Sequence, residues 1–530
     1  MAVSTELTIL IVLFYLVLIL GLGWYGYRRT RQVEDYMVAG RNTHPMIIAL
    51  SYGATFISTS AIVGFGGTAA QYGMSLMWLT VLCILVGVII AFLFMGKRIR
   101  RIGKDLGALT YPELLGKIFG SRMLIYATGL IFVAAMPLYT AAVLIGGARF
   151  IETTLGIPYM TALLGFAGVV ALYVVIGGLI AVMYTDAVQG VIMLAGMGIL
   201  LVLTYVYLGG VTAANSALEA MTPLVPDNLA AIGMTGWTSM PELGSPVWMT
   251  VITTLVLGVG IGVLAQPQLA VRFMTAKDGK SLNRAVPMGA LFIVMMTGVA
   301  FTVGPLTNVY FMETTGQLAL TAAGGNADSV IPLYINASMP ELFVIIFMLT
   351  LLSAAMSTLS SLLHTMGTTL GGDIFARLKG KRYSVRANQI GIVLMMLASL
   401  AIALVMPGSI IARATAMFMG LCTAALLPAF VHGITAKQPS RLAAKWSMLA
   451  GAGGWLLWTL FAHTAESQAL GVCHALFGVS SLVPSPWNYL DPLVVGTILS
   501  VVILITLIPL DKHRVTREEQ KAMASKSADM

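Results

Sequence analysis

Apolar and polar positions alternate along this chain in blocks rather than residue by residue. Thirteen apolar runs stand out, at about 7–27, 46–70, 76–96, 124–150, 158–183, 187–209, 247–272, 285–311, 341–371, 387–407, 410–433, 443–463 and 489–510. Each is long enough to cross a bilayer as a helix of roughly 20 residues. The expected fold class is therefore all-α integral membrane, with about thirteen transmembrane helices. The longer polar segments 210–246, 312–340 and 464–488 contain Gly, Pro and acidic residues and are expected to hold short helices or act as lids. Two runs carry internal breaks. "ALSYGATFISTSAIVGFGG" (49–67) mixes Gly, Ser and Thr into an apolar span, and "LVLGVGIGVLAQPQ" (255–268) carries Gly258, Gly260, Gly262 and Pro267. Small residues can serve close helix packing, or the irregular backbone can line a cavity at membrane depth. The breaks fall in runs 2 and 7, five spans apart. That spacing suggests two five-helix repeats, the second inverted, with a binding site between the breaks.

The run 341–371 is unusual in another way. "LLSAAMSTLSSLLHTMGTT" (351–369) is apolar yet carries eight hydroxyls. Such hydroxyls can bond back to the carbonyl of the preceding turn. A second reading starts from Ala354, Ser357, Thr358 and Ser361, which share one helix face at i, i+3, i+4 and i+7. Beside carbonyls released at Ala54 to Ile57, they would form a set of hard, neutral oxygens suited to sodium rather than to zinc or iron.

Composition sharpens this picture. Of 530 residues, 58% are hydrophobic and 10% charged, against about 25% charged in soluble domains. The net charge of +9 is a topology signal and not a nucleic-acid footprint. With the N-terminus outside, 28 of the 30 basic residues fall in inner segments, Arg272, Lys277, Lys280 and Arg284 among them; Arg149 and Arg413 are the exceptions. The positive-inside rule then gives an N-out, C-in chain in a cytoplasmic membrane. The opening "MAVSTE" lacks a basic n-region, so the first run is expected to remain as a helix. Cys83, Cys422 and Cys473 are too scattered for a metal motif or a disulfide framework.

The search for chemistry finds no HExxH, CxxC or Walker A pattern. "MTAKDGKS" lacks the first glycine of a phosphate loop and reads as a turn. His364 reads as a packing residue more readily than a proton relay. Asp186, in "GGLIAVMYTDAVQGVIMLAG", is the acid that matters. It is either the N-terminal residue of a helix, where the dipole favours it, or a buried site acid flanked by Thr185 and Gln189. No Lys or Arg lies near it in sequence, so a bound cation is its natural partner.

Taken together, "GGLIAVMYTDAVQ" (177–189), "SAAMSTLSS" (353–361), "QPQLAVRFMTAK" (266–277) and "GGARFIETTLGIPYMTAL" (146–163) resemble the sodium/solute symporter family, which includes proline, pantothenate, sialic acid and sugar symporters. The likeness spans about 5–510. It implies a LeuT-type inverted five-plus-five repeat, with segments 1–45 (first helix and inner loop), 46–209 and 247–433 (the two repeats), 443–510 (two further helices) and a tail, 511–530. It implies a main sodium site from the carbonyls of Ala54, Ile57 and Ala354 and the hydroxyls of Ser357 and Thr358. It also raises a second sodium site from Asp186, Ser357, Ser360 and Ser361.

The expected substrate pocket lies between the two breaks, with Ser58, Ser60, Tyr139, Val259, Val263 and Gln266 as its lining. Its residues depart from the family's patterns: Phe56 stands where proline symporters have an aspartate, and Tyr139 where sialic acid symporters have an arginine. The expected function is sodium-coupled import of a small organic solute, first a carboxylate-bearing one such as an amino acid, pantothenate-like compound or monocarboxylate. A sugar, sialic acid or other polar solute is the alternative. A membrane sensor and a membrane enzyme are the rivals from other classes; the first would need a fused signalling domain, and the second a nucleophile–base set or metal cluster that the motifs do not supply.

Overall fold

The structure, a computed structural model, describes residues 5–380, 383–406 and 411–528, with side chains from 10 to 511. Among the described residues the regular elements are helices, apart from a single bridge between Thr43 and Ala276. Ten of these helices are long and apolar enough to cross a membrane. The thirteen expected runs map onto them unevenly. Run 46–70 is two pieces, Pro45–Phe56 and the segment from Ser60 through Tyr72. The latter continues into the stretch Ser60–Asp105, which also takes in run 76–96. Runs 158–183 and 187–209 form one stretch, Tyr159–Tyr207, bent at Gly178. Gly178 has φ 62°, and a side chain there would meet the ring of Tyr36, so only glycine fits the bend. Run 443–463 is the helix Arg441–Phe461. The junction of runs 387–407 and 410–433 falls on 407–410, outside the described residues.

The first break forms as the sequence leads one to expect. Pro45 begins the helix, where its missing N–H costs nothing, and His44 Nδ1 accepts from the Met46 amide at 3.2 Å. The Ile57 amide makes a last bond to the Gly53 carbonyl at 2.8 Å, but Ile57 itself is extended (φ −92°, ψ 108°). Ser58 then starts the second piece: its Oγ accepts the Ser60 amide at 3.1 Å and its carbonyl the Ala61 amide at 3.0 Å. The break is therefore capped on both sides and leaves the carbonyls near Ile57 free of helix bonds.

The second break falls at the Pro267 end of its segment and not at the glycines. Gly258, Gly260 and Gly262 are helical and closely packed: a Cβ at Gly260 would meet Leu82 and one at Gly262 would meet Met419. These glycines serve helix contact. The interruption comes lower, at Gln266 (φ −76°, ψ 118°), where Pro267 starts the helix Pro267–Met274.

The three long connecting segments do carry short helices, including Val211–Ala220, Ala327–Ser338 and Thr464–Leu470. Trp237, from the first of these segments, is buried against the end of the broken helix that lies near Tyr72. Its Nε1 donates to the Ala70 carbonyl at 2.9 Å, and its carbonyl accepts the Met74 amide at 2.7 Å. Gly73 (φ 82°) permits that approach; a side chain there would strike the Trp237 carbonyl. On the opposite side, Arg41 donates to the Ala108 carbonyl at 2.6 Å and Arg100 to the Ala276 carbonyl at 2.9 Å. Arg377, just past the stretch Glu341–Ala376, ties that stretch to the helix Tyr111–Ile118 through Glu113 at 2.8 Å.

Candidate functional site

The hydroxyl-rich helix Glu341–Thr368 packs against Pro45–Phe56. From Phe343 onward almost all of its residues are buried, so its hydroxyls must find partners inside the protein. Some turn back on their own helix, as first suspected: Thr365 donates to the Ser361 carbonyl at 2.8 Å and Thr368 to the His364 carbonyl at 2.8 Å. Ser357 and Thr358 do something else. Ser357 Oγ lies 2.8 Å from the Ala54 carbonyl and 3.2 Å from the Ala354 carbonyl. Thr358 Oγ1 lies 3.3 Å from the Ala54 carbonyl and 3.1 Å from that of Thr55. Both reach across to the broken helix just before its last turn opens at Ile57. Thus Ala54, Ala354, Ser357 and Thr358 come together as buried hard oxygens, with Ile57 at the open turn beside them. This donor set fits a small hard cation without a charged ligand. Among the described residues no group of three or more His, Cys, Asp or Glu is placed to hold a metal.

Asp186 is two turns into the helix beyond Gly178, so it does not cap a helix N-terminus. It is fully buried, and its partners come from three elements. Oδ2 accepts from Ser51 Oγ at 2.8 Å, Thr55 Oγ1 at 3.2 Å and Arg272 Nη2 at 3.0 Å. Oδ1 has a longer contact, 3.5 Å, with Ser360 Oγ, which also donates to the Ser357 carbonyl at 2.9 Å. Arg272 is equally buried; its Nη1 donates to the Gln268 carbonyl at 2.9 Å and its Nη2 to Ser361 Oγ. Two expectations are corrected here. Arg272 is not an inner-loop charge but a buried member of Pro267–Met274. And Asp186 does not lack a protein cation: the guanidinium sits among Asp186, Ser51 and Ser361, where the second sodium was expected. Thr185 also turns away, donating to the Ala181 and Val182 carbonyls at 3.0 Å, while Gln189 donates to Tyr15 at 3.1 Å.

Thr55 joins the two clusters. Its carbonyl accepts from Thr358, and its side chain bonds Asp186 and, at 2.9 Å, Ser361. Sequence reasoning missed Ser51 and Thr55, although their i, i+4 spacing marks one face of the broken helix. His364 packs beside Tyr36, with ring centroids 5.4 Å apart.

A small cavity of about 20 Å3 lies beside the first break. Four of the six residues named for the substrate pocket, Ser58, Ser60, Tyr139 and Val259, line it together with Phe56 and Ile57. Phe65, Phe301, Thr297, Thr415 and Met419 complete most of its wall. Tyr139 donates to Ser58 Oγ at 3.4 Å. Val263 and Gln266 are not in the lining. One turn below Val259, Val263 faces Gly87, and Gln266 bonds the Gly262 carbonyl at 3.2 Å and Gln268 at 3.2 Å.

Comparison with known proteins now adds to this geometry. The profile of the Sodium:solute symporter family matches residues 36–451. The chain is 30% identical to the sodium/pantothenate symporter of Haemophilus influenzae over 90% of its own length and 93% of that protein. It is 25% identical to the osmoregulated proline transporter of Bacillus subtilis, over 90% and 92% of the two chains. Its fold matches that of a Na+-coupled sialic acid symporter with a TM-score of 0.70 and 18% identity, covering 95% of this chain and 97% of that one. A nucleobase-cation-symport-1 family transporter gives a TM-score of 0.50 at 13% identity, covering 91% and 96%. The chain belongs to the sodium:solute symporter family: it is a multi-pass membrane protein of LeuT-type fold, a sodium-coupled symporter of small organic solutes and not an enzyme.

Proposed function

We propose that this protein imports a small carboxylate-bearing solute together with one sodium ion bound by Ala54, Ile57, Ala354, Ser357 and Thr358. One observation carries the reading. The two side-chain hydroxyls meet the Ala54 carbonyl where the broken helix opens, at 2.8 and 3.3 Å. Sodium bound there would supply a positive charge that ties Glu341–Thr368 to Pro45–Phe56. Ile57 belongs both to this group and to the lining of the cavity. Binding the ion would hold the break in one conformation, and the solute would meet a preformed surface.

Asp186, Ser360 and Ser361 are assigned a different role from sodium ligation. The buried Arg272 guanidinium already balances Asp186 at 3.0 Å, and a second cation beside it would meet like charge at close range. The pair, with Thr55, supports the ion site from behind and latches Pro267–Met274 to the broken helix. A second sodium at Asp186 would require Arg272 to leave. The two repeats are assigned to 46–209 and 247–433, and the chain to the cytoplasmic membrane with its N-terminus outside. The charge distribution supports this orientation; with Arg272 removed from the count, 27 of 30 basic residues still fall in the sequence segments assigned to the inner side. Inward movement of one charge across 100 mV is worth ~2.3 kcal/mol, which together with a sodium gradient suffices for concentrative uptake. Uptake of labelled carboxylates into proteoliposomes, with a sodium gradient or with choline in its place, tests the proposal. Uptake that is equal in both contradicts it.

A further inference from the structure

We infer that the solute is a monocarboxylate with an apolar body and no ammonium group. This rests on the transport reading above and narrows its substrate class. The enclosed space of about 20 Å3 holds roughly one water, so the site is collapsed here, and its chemistry is read from its wall rather than its size. Phe56, Phe65, Val259, Phe301 and Met419 make that wall largely apolar, and none of the described lining residues is Asp, Glu, Lys, Arg or His.

The hydroxyls on the wall are mostly committed. Thr297 donates to the Ile293 carbonyl at 2.7 Å, Thr415 to the Ile411 carbonyl at 2.9 Å, and Tyr139 to Ser58. Ser60 is different. It is 1% exposed, lines the cavity, and its Oγ has no hydrogen-bond partner. It also lies in the first turn of the second piece of the broken helix, whose dipole favours negative charge, although its own amide and those of Ala61 and Ile62 are already bonded to Ser58. Ser60 Oγ is thus the one lining hydroxyl among the described residues with no partner, next to the turn proposed to bind sodium. A single carboxylate suits that point, with sodium balancing its charge. A polyhydroxylated sugar would leave most of its hydroxyls against apolar wall, and a buried polar group without a partner is costly. An α-amino acid would bring an ammonium into a wall whose side chains include no carboxylate, leaving only main-chain carbonyls at the break to receive it.

The test uses three ligands that share one carbon skeleton: 4-methylpentanoate, L-leucine, which adds the ammonium, and 4-methylpentanamide, which removes the charge. They are titrated against the purified full-length protein in sodium and in choline, with thermal shift as the readout and monocarboxylates of two to eight carbons as a length series. The expected result is sodium-dependent stabilisation by at least one monocarboxylate. Its half-maximal concentration should be at least tenfold below that of the matching amino acid, with no shift from the amide. Ser60→Ala should weaken the carboxylate at least tenfold at saturating sodium. Equal or tighter binding of the amino acid, or no shift with any monocarboxylate in the series, overturns the inference. Stabilisation by sodium alone, lost in Ser357→Ala, is read in the same experiment. If it is present while carboxylates are silent, only the substrate class falls; if it is absent too, the transport reading falls with it.

Discussion

Arg272 Nη2 lies 3.0 Å from Asp186 Oδ2, and both side chains are buried to within 1% of full exclusion from solvent. The residues are 86 positions apart and belong to opposite repeats of the proposed architecture. Breaking a buried pair by removing one partner leaves an uncompensated charge, which costs about 3–5 kcal/mol. Asp186→Asn and Arg272→Gln should each destabilise the protein by that order. The double substitution should cost less than the sum of the two, because neither charge is left alone. Unfolding of the three variants in detergent, read as a double-mutant cycle, checks this; additive losses would mean that the pair does not act as a unit.

The same pair bears on stoichiometry. With Arg272 balancing Asp186, uptake should show a sodium Hill coefficient near one, and Asp186→Asn should leave it near one while lowering the transport rate. A wild-type coefficient near two that falls toward one in Asp186→Asn would instead assign Asp186 to a second ion.

Arg272 also shows where the sequence stopped being informative. The apolar runs, the first break, the Ser357–Thr358 face and the burial of Asp186 were all legible, because each depends on local composition or on 3.6-residue periodicity. Arg272 follows directly on an apolar run and precedes Lys277 and Lys280, so by the positive-inside rule it reads as an inner-loop charge. Its burial depends on Pro267 starting a new helix that turns inward, and its partner comes from another element. The same limit explains Gly258, Gly260 and Gly262. A cluster of small residues marks either a break or a close contact, and only the neighbours, Leu82 and Met419, decide between them.

The pocket can be closed without touching the ion site. Val259 lines the cavity and Val263 does not. Val259→Trp should abolish solute binding while stabilisation by sodium persists. Solute binding unchanged from wild type in this variant would move the pocket elsewhere.

Close helix contacts give a further check. A Cβ at Gly67 would strike the Ala327 carbonyl, whereas Gly165 has nothing within 4 Å. Gly67→Ala should lose about 1–3 kcal/mol by overpacking. Gly165→Ala, in the helix interior, should stay within about 1 kcal/mol of wild type. Comparable stability of the two variants would contradict the close approach of the broken helix to Ala327–Ser338.

In the proposed mechanism, sodium couples to solute through the hydroxyls of Ser357 and Thr358. Each supplies one oxygen to a desolvated cation, and its removal should weaken that ion strongly. The most direct measurement is the sodium concentration for half-maximal uptake in proteoliposomes holding the wild type, Ser357→Ala or Thr358→Ala, at matched levels of inserted protein. A rise of at least about tenfold is expected in each variant, equivalent to the ~1.4 kcal/mol of one decade in affinity. An unchanged half-maximal concentration in both variants would contradict it.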